Sequence, residues 1–329
     1  MCVSRSVAVG LCLGYVADRI LGDPPRHHPV AWFGQLATTT EKHIWANSRK
    51  HGILYTSLLL TAVTGTALVI NSQTRSPWQR CLLTAASTWV ALGGKSLEAE
   101  GEAMATRLDT AAISGDLTAA RERLSHLCSR DASALTADEL ARATVESLAE
   151  NTSDAVTGAV FWGAVAGVPG IVLYRAANTL DAMVGYRSDR YEKFGWASAR
   201  LDDLLNYLPA RVTAAVTVAI APAFGGYAAV TRACLAWRHD APAHPSPNAG
   251  PVEATAAGVL GVSLGGTNTY AGSRETRGKL GTGPAPVVDD VRRAITLTRT
   301  VAATATAACV ALAWVLPGRR RITTPRSTL

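Results

Sequence analysis

Ile53-Leu-Tyr-Thr-Ser-Leu-Leu-Leu-Thr-Ala-Val-Thr-Gly-Thr-Ala-Leu-Val-Ile70 is the stretch that decides the fold class. Between His51 and Thr74 there is no Asp, Glu, Lys or Arg. About 20 such residues are what a helix needs to cross a hydrocarbon core. Uncharged runs of similar length lie between Asp154 and Arg175, between Arg211 and Arg232, and between Arg299 and Arg319. Cys81–Gly94 and Val7–Ala17 are shorter runs of the same kind. The pattern predicts four membrane segments and two further short candidates. Of all residues, 48% are hydrophobic and 17% charged, where a soluble domain averages about a quarter charged. The expected fold is all-α: a polytopic helical membrane protein, with residues 1–329 forming one membrane-embedded domain and no internal repeat.

Working outward, Val7–Ala17 follows Arg5 as a signal-peptide core would. No A-x-A cleavage pattern follows, and Asp18-Arg19 come at once, so a retained helix is expected. Arg319-Arg-Arg321 predicts a cytoplasmic C-terminus. The stretch 95–150 changes character, with eleven acidic residues against six Lys and Arg and apolar residues at helical spacing. It reads as a helical segment outside the membrane. Asp116 can cap a helix through Leu124. Thr136-Ala-Asp-Glu139 is a capping box that opens a helix leading to Glu150. Arg238–Gly250 reads as a polar loop and Gly265–Pro286 as an irregular Gly-rich one.

Several chemistries are excluded by spacing. The six cysteines, at 2, 12, 81, 128, 234 and 309, never form CxxC, which removes a Cys zinc site and a redox pair. Gly94-Lys95-Ser96 resembles the end of a P-loop, but Trp89 stands where its first Gly belongs. Gly281-Thr-Gly283 lacks the rest of a dinucleotide fingerprint, and no HExxH occurs. The net charge of +7 is the only feature favouring nucleic acid, and no groove-reading or stacking module accompanies it.

Chemistry concentrates between Glu146 and Arg211. Glu146-Ser-Leu-Ala-Glu150-Asn151-Thr-Ser-Asp154 puts two carboxylates at i,i+4 on one helical face, with a third beyond, directly against an apolar run. Such a cluster suits Mg²⁺ held through oxygens and waters. The plainer alternative is an Arg142–Glu146 surface pair followed by a helix-terminal cap. Tyr174-Arg175-Ala-Ala-Asn178-Thr-Leu-Asp181-Ala-Met-Val-Gly-Tyr186-Arg187 follows, with Asn178 and Asp181 three apart. Arg175 and Arg187 can clamp a phosphate, or can anchor helix ends in an interfacial belt. Asp202-Asp203 and Arg211 flank the next apolar run, and adjacent aspartates point apart on a helix.

These motifs resemble the CobD/CbiB family of cobalamin biosynthesis. The similar stretches are Gly22-Asp-Pro-Pro-Arg-His-His-Pro29, Glu146–Asp154, Tyr174–Arg187, Phe194-Gly-Trp-Ala-Ser-Ala-Arg-Leu-Asp-Asp203, His244-Pro-Ser-Pro-Asn-Ala-Gly250 and Leu264-Gly-Gly-Thr-Asn268. They occur in the family's order over nearly the whole chain. The sequence departs from the family pattern at Pro251-Val252 before Glu253 and at Thr269 before Tyr270.

The resemblance implies a multi-pass enzyme of the cell membrane, a ligase that uses ATP and Mg²⁺. It would attach aminopropanol, or its O-phosphate, to a propionate carboxyl of the corrinoid adenosylcobyric acid, giving adenosylcobinamide or its phosphate. Glu150, Asp154 and Asp181 would hold Mg²⁺, and Glu146 would join them in catalysis. His28, His244 and Asp181 are the candidate bases. Asp23, Asn151, Arg175, Asn178 and Tyr186 would contact substrate, as would Arg187, Asp202, Asp203, Arg211 and Asn248. Expected partners are these substrates, membrane lipid and other membrane enzymes of the pathway, with no nucleic acid. The competing class is a non-catalytic sensor or transport component like the AmpE relatives of the family, against which the His244–Gly250 motif speaks.

Geometry adds one expectation. A straight helix over Ala155–Tyr174 would hold its flanking acidic motifs about 30 Å apart at ~1.5 Å per residue, too far to share a site. Gly163, Gly167, Pro169 and Gly170 offer a break. A re-entrant hairpin or broken helix would return Glu146, Glu150 and Asp154 to Asp181.

Overall fold

The computed structural model describes residues 3–24, 28–186, 188–270 and 273–316, with 267–270 and 273–276 described by their backbone alone. The fold is helical, as the apolar runs predict. The helices are α1 (Val3–Leu21), α2 (Pro29–Ile44), α3 (Arg49–Gln73), α4 (Pro77–Ala91), α5 (Gly94–Ser114), α6 (Thr118–Leu124) and α7 (Ala137–Thr152). A π-helical turn, Ser153–Thr157, leads into α8 (Gly158–Ala166). Then come α9 (Val168–Val184), α10 (Trp196–Ile220), α11 (Pro222–His239), α12 (Ala249–Leu260) and α13 (Val288–Val315).

The helix starts follow local chemistry. Thr136 and Glu139 form the reciprocal capping box that opens α7. Asp116 Oδ1 accepts from the Thr118 amide at 2.9 Å as α6 begins. Ser76 and Gln79 cap α4 in the same reciprocal way, with Pro77 pre-set for the first turn.

One expectation is corrected. The stretch expected to be irregular contains an antiparallel hairpin, β1 (Leu264–Tyr270) paired with β2 (Ser273–Leu280). A bulge between Leu264 and Gly266, both of whose glycines have positive φ, breaks the alternation by which strands are read. No period-2 pattern survives there to be seen.

Fewer helices meet the length and hydropathy of a span than the charge-free runs suggest. Among the described residues, two helices, α3 and α13, are long and apolar enough to cross a membrane. Helices α10 and α11 make a third only as a pair bent by 114°. Leu54, Leu58, Leu68 and Ile70 of α3 stand exposed, as a lipid-facing helix requires and a soluble one does not. The run between Arg211 and Arg232 straddles the α10–α11 bend, and the run between Asp154 and Arg175 is folded back on itself. Charge-free length alone cannot tell a span from a hairpin.

That hairpin, α8–α9, is plain from its contacts. The Tyr174 hydroxyl donates to the Asp154 carbonyl at 3.2 Å. Twenty residues of straight helix would separate them by about 30 Å. The reversal sits at Gly167, whose φ of 69° and ψ of −152° belong to a region open essentially to glycine alone. Gly158 faces the Tyr174 ring so closely that a Cβ would lie 2.0 Å from it. The small residue is what lets the two legs close.

Packing forms two apolar clusters. One joins α5, α6, α7, α12 and part of α13, with Leu97, Met104, Leu140, Leu148 and Val259 at its centre. The other joins α1, α2, α3, α8 and α9 around Leu11, Tyr55, Val160, Ile171 and Leu180. The π-helical turn, α9 and α10 meet between them, and there the acidic residues gather.

Candidate functional site

Glu150, Asp154, Asp181, Asp202 and Asp203 line one cavity of about 110 Å³, together with Ser153, Asn206, Ser246 and Asn248. The acids arrive from α7, the π-helical turn, α9 and α10. The hairpin carries Asp154 and Asp181 to the same place, as the sequence argument requires. A π-helical turn at such a position is common in functional sites, because its extra residue re-aims the side chains around it.

Hydrogen bonds fix part of the acidic wall. Asn206 Nδ2 donates to Asp202 at 2.9 Å and Asn178 Nδ2 donates to it at 3.4 Å. Asn206 Oδ1 accepts from the Tyr174 hydroxyl at 2.7 Å. A relay of polar groups therefore ties α10 to the hairpin. Burial raises the carboxyl of Asp154 well above its usual range, and the neighbouring charges of Asp202, Glu150 and Asp181 push further. Asp181 is pushed up to about 7 by burial and then by Asp202 and Asp203. Glu150 is raised by burial against a partial offset from Arg277. So many anions in one desolvated place call for a cation.

The donor set suits Mg²⁺, which is held by one or two carboxylates while keeping several waters. Among the described residues, no three His, Cys, Asp or Glu side chains close on a single point as a finished metal cage. The cavity has room for waters and phosphate oxygens between the acids. The carboxylates and amides lining it are oxygen donors of the kind a Mg²⁺ that keeps its waters takes.

Glu146 does not line this cavity. Its Oε2 accepts from buried Arg130 at 2.5 Å and its Oε1 from the Gly265 amide at 2.7 Å. The partner is Arg130 and not the Arg142 that helical spacing suggests. Asn151 is turned back on its own helix, donating to the Ser147 carbonyl at 2.8 Å.

The two histidines serve local structure. His28 Nδ1 accepts from the Val30 amide at 3.2 Å and caps α2. His244 Nδ1 accepts from the Ser246 amide at 3.1 Å, and its Nε2 lies 3.7 Å from Glu253, both side chains buried. Neither is among the residues lining the acidic cavity.

The other expected residues take separate places. Asn248 donates to the Asp203 carbonyl at 2.8 Å. Arg211 holds the same loop through Asn248 at 3.3 Å and the Pro247 carbonyl at 3.2 Å. Arg211 thus positions the loop and stays off the cavity wall. Arg175 reaches Asn178 at 3.4 Å. Tyr186 is half exposed and bonds the Ala182 carbonyl. Asp23 acts electrostatically on His28, and Arg187 lies outside the described residues. The excluded P-loop lookalike is filled by an anion of the protein's own. Asp18 accepts from the Lys95 amide at 3.3 Å, and Lys95 Nζ bonds the Ile20 carbonyl at 2.7 Å.

Sequence reasoning missed Asn206, Ser246 and Arg130. Asn206 stands four residues after Asp202, a spacing that puts both on one helix face and would have flagged it. Ser246 caps α12 through the Ala249 amide at 3.1 Å. Arg130 lies in a loop sixteen residues from Glu146, and no local pattern announces it.

Comparison with known proteins gives a consistent answer. The family model described as CobD/Cbib protein matches residues 11–298. A protein named cobalamin biosynthesis protein CobD from Mycobacterium tuberculosis (strain ATCC 25618 / H37Rv) is 45% identical over 307 residues, covering 93% of this chain and 96% of that one. Proteins of the same name from Chromobacterium violaceum and Rhodobacter capsulatus are 44% and 41% identical, covering 88% and 83% of this chain and 91% and 85% of theirs. No solved structure matches.

Proposed function

The chain belongs to the CobD/CbiB family, and from that premise we propose that it is a multi-pass ligase of cobalamin biosynthesis in the cell membrane. It joins aminopropanol, or its O-phosphate, to a propionate carboxyl of adenosylcobyric acid at the expense of ATP. The single observation that carries this reading is the convergence of five carboxylates on one 110 Å³ cavity.

Amide formation from a carboxylate needs activation. In the proposed sequence a propionate oxygen attacks the γ-phosphorus of ATP and ADP departs, leaving an acyl phosphate. The amine nitrogen then attacks the carbonyl carbon, inorganic phosphate leaves with the bridging oxygen, and the amine gives up a proton. Mg²⁺, when bound, supplies the positive charge that lets the polyphosphate enter an acidic site. Glu150, Asp154 and Asp202 are the residues to hold it. Asn178 and Asn206 keep Asp202 oriented by hydrogen bonds. Asp181 is the group to take the amine's proton, since its carboxyl is pushed up to about 7 and a base works best near the operating pH. The histidines are spoken for elsewhere. Helices α5 to α7, rich in charge, lie outside the bilayer in this reading.

The test is an assay of the purified full-length protein with adenosylcobyric acid, Mg-ATP and aminopropanol O-phosphate. The expected result is a product of the amide's mass, with one ADP and one phosphate released per amide. Corrinoid recovered unchanged, with no ADP formed under conditions where the protein stays folded, overturns the reading.

A further inference from the structure

Beside the acidic cavity lies a second space of opposite chemistry. It measures about 380 Å³ and is lined by α2, α3, α4 and α9. Phe33, Val63, Val90 and Ile171 give it apolar walls, and Arg175 is the one charged residue among those lining it. A guanidinium at the edge of an apolar space is costly unless an anion meets it. The Nε of Arg175 is buried and makes no hydrogen bond. Its Nη1 has only the long 3.4 Å contact to Asn178, which in turn bonds Asp202 on the acidic wall. Arg175 therefore lines the apolar space and is linked through Asn178 to the acidic wall.

We propose that the apolar cavity receives the apolar edge of the carboxylate-bearing substrate and that Arg175 binds the carboxylate to be activated. The proposal rests on the ligase reading above and names the place of one of its substrates. A guanidinium fork matches a carboxylate with two parallel hydrogen bonds. A corrin edge, carrying methyl groups and a propionate arm, offers an apolar body and that anion together. An amino alcohol phosphate is polar throughout and gains nothing from walls of Phe, Val and Ile. From Arg175 the carboxylate would face the acidic cavity, where phosphate transfer is proposed. This replaces the phosphate clamp with Arg187 as the role of Arg175. A phospholipid also combines an apolar body with an anion. The link through Asn178 to the reacting site favours the group that must react there.

The test uses the full-length protein in nanodiscs of defined phospholipid. Val90→Trp fills the cavity, Ala86→Leu fills it more gently, and Arg175→Lys keeps the charge but loses the fork. Binding of adenosylcobyric acid is followed without ATP by quenching of protein fluorescence, and KM is measured for each substrate. Each variant is expected to weaken corrinoid binding about tenfold or more, with the amino alcohol KM within about twofold of the parent. Unchanged corrinoid affinity in a folded Val90→Trp or Ala86→Leu protein overturns the assignment, as does a shift confined to the amino alcohol. Loss of a co-purified phospholipid from the filled variants, with corrinoid affinity intact, overturns it in favour of lipid. Parent protein that binds corrinoid in this cavity without converting it contradicts the ligase reading and leaves the cavity assignment standing. Parent protein that converts it while the filled variants bind normally contradicts only the cavity assignment.

Discussion

Glu146 and Glu150 lie one turn apart on α7, and their hydrogen-bonding surroundings differ. Glu146 is neutralised by buried Arg130 and by the Gly265 amide, so its charge is spent inside the protein. Glu150 faces a cavity shared with four aspartates, and burial raises its carboxyl above the usual range. Helical spacing makes the two look equivalent, yet one fastens the β hairpin to α7 while the other faces the acidic cavity. An acid's partner, more than its position on a helix face, separates structure from function.

The comparison can be broken first on the structural side. Arg130→Ala leaves Glu146 buried without its cation, and the expected loss of stability is about 3–5 kcal/mol, read by thermal unfolding in detergent. If stability were unchanged, the Glu146 pair would not be the fastening it is taken to be. Asp154→Asn probes the other side. Removing one of several crowded anions should leave the melting temperature equal or higher, while turnover falls about 100-fold or more. A drop in stability with activity intact would reverse the two roles.

Gly158→Ala tests whether the α8–α9 hairpin is what brings the acids together. Its Cβ would meet the Tyr174 ring, and overpacking of this kind costs about 1–3 kcal/mol. Turnover should fall with stability, because spreading the legs moves Asp154 from Asp181. Proton linkage sharpens the contrast further. In the fold, burial pushes the Asp181 carboxyl up to about 7, from about 3.9 in the unfolded chain. Between those values the folded protein keeps a proton that the unfolded chain has lost, so stability falls as pH rises from about 4 to 7. One such group gives a slope of at most about 1.4 kcal/mol per pH unit. Without Mg²⁺ the protein should melt higher near pH 5 than near pH 8, and Asp181→Asn should flatten the trend. A melting temperature that climbs over that range contradicts the crowded-acid picture.

Much of this was legible in the residues. The apolar run in α3, the capping box at Thr136 and the break near Gly167 each follow from local chemistry, and each appears where local chemistry puts it. The hairpin at 264–280 was not legible, because its glycines and bulge erase the strand period. Nor were the bend between α10 and α11 and the partner of Glu146, which depend on contacts distant in sequence. Asp154 and Asp181 could be brought together on paper because only one intervening break was needed. Glu146 could not be set apart from them, since Arg130 reaches it from a loop.

The central claim is that Glu150, Asp154 and Asp202 form a cation site beside Asp181, and that the hairpin assembles it. Binding of Mn²⁺ in place of Mg²⁺, followed by electron paramagnetic resonance on the folded protein near neutral pH, tests it most directly. The parent should bind Mn²⁺ in competition with Mg²⁺, and Asp154→Asn and Asp202→Asn should each weaken binding about tenfold or more. Mn²⁺ bound equally well by the parent and by both folded variants would contradict the claim.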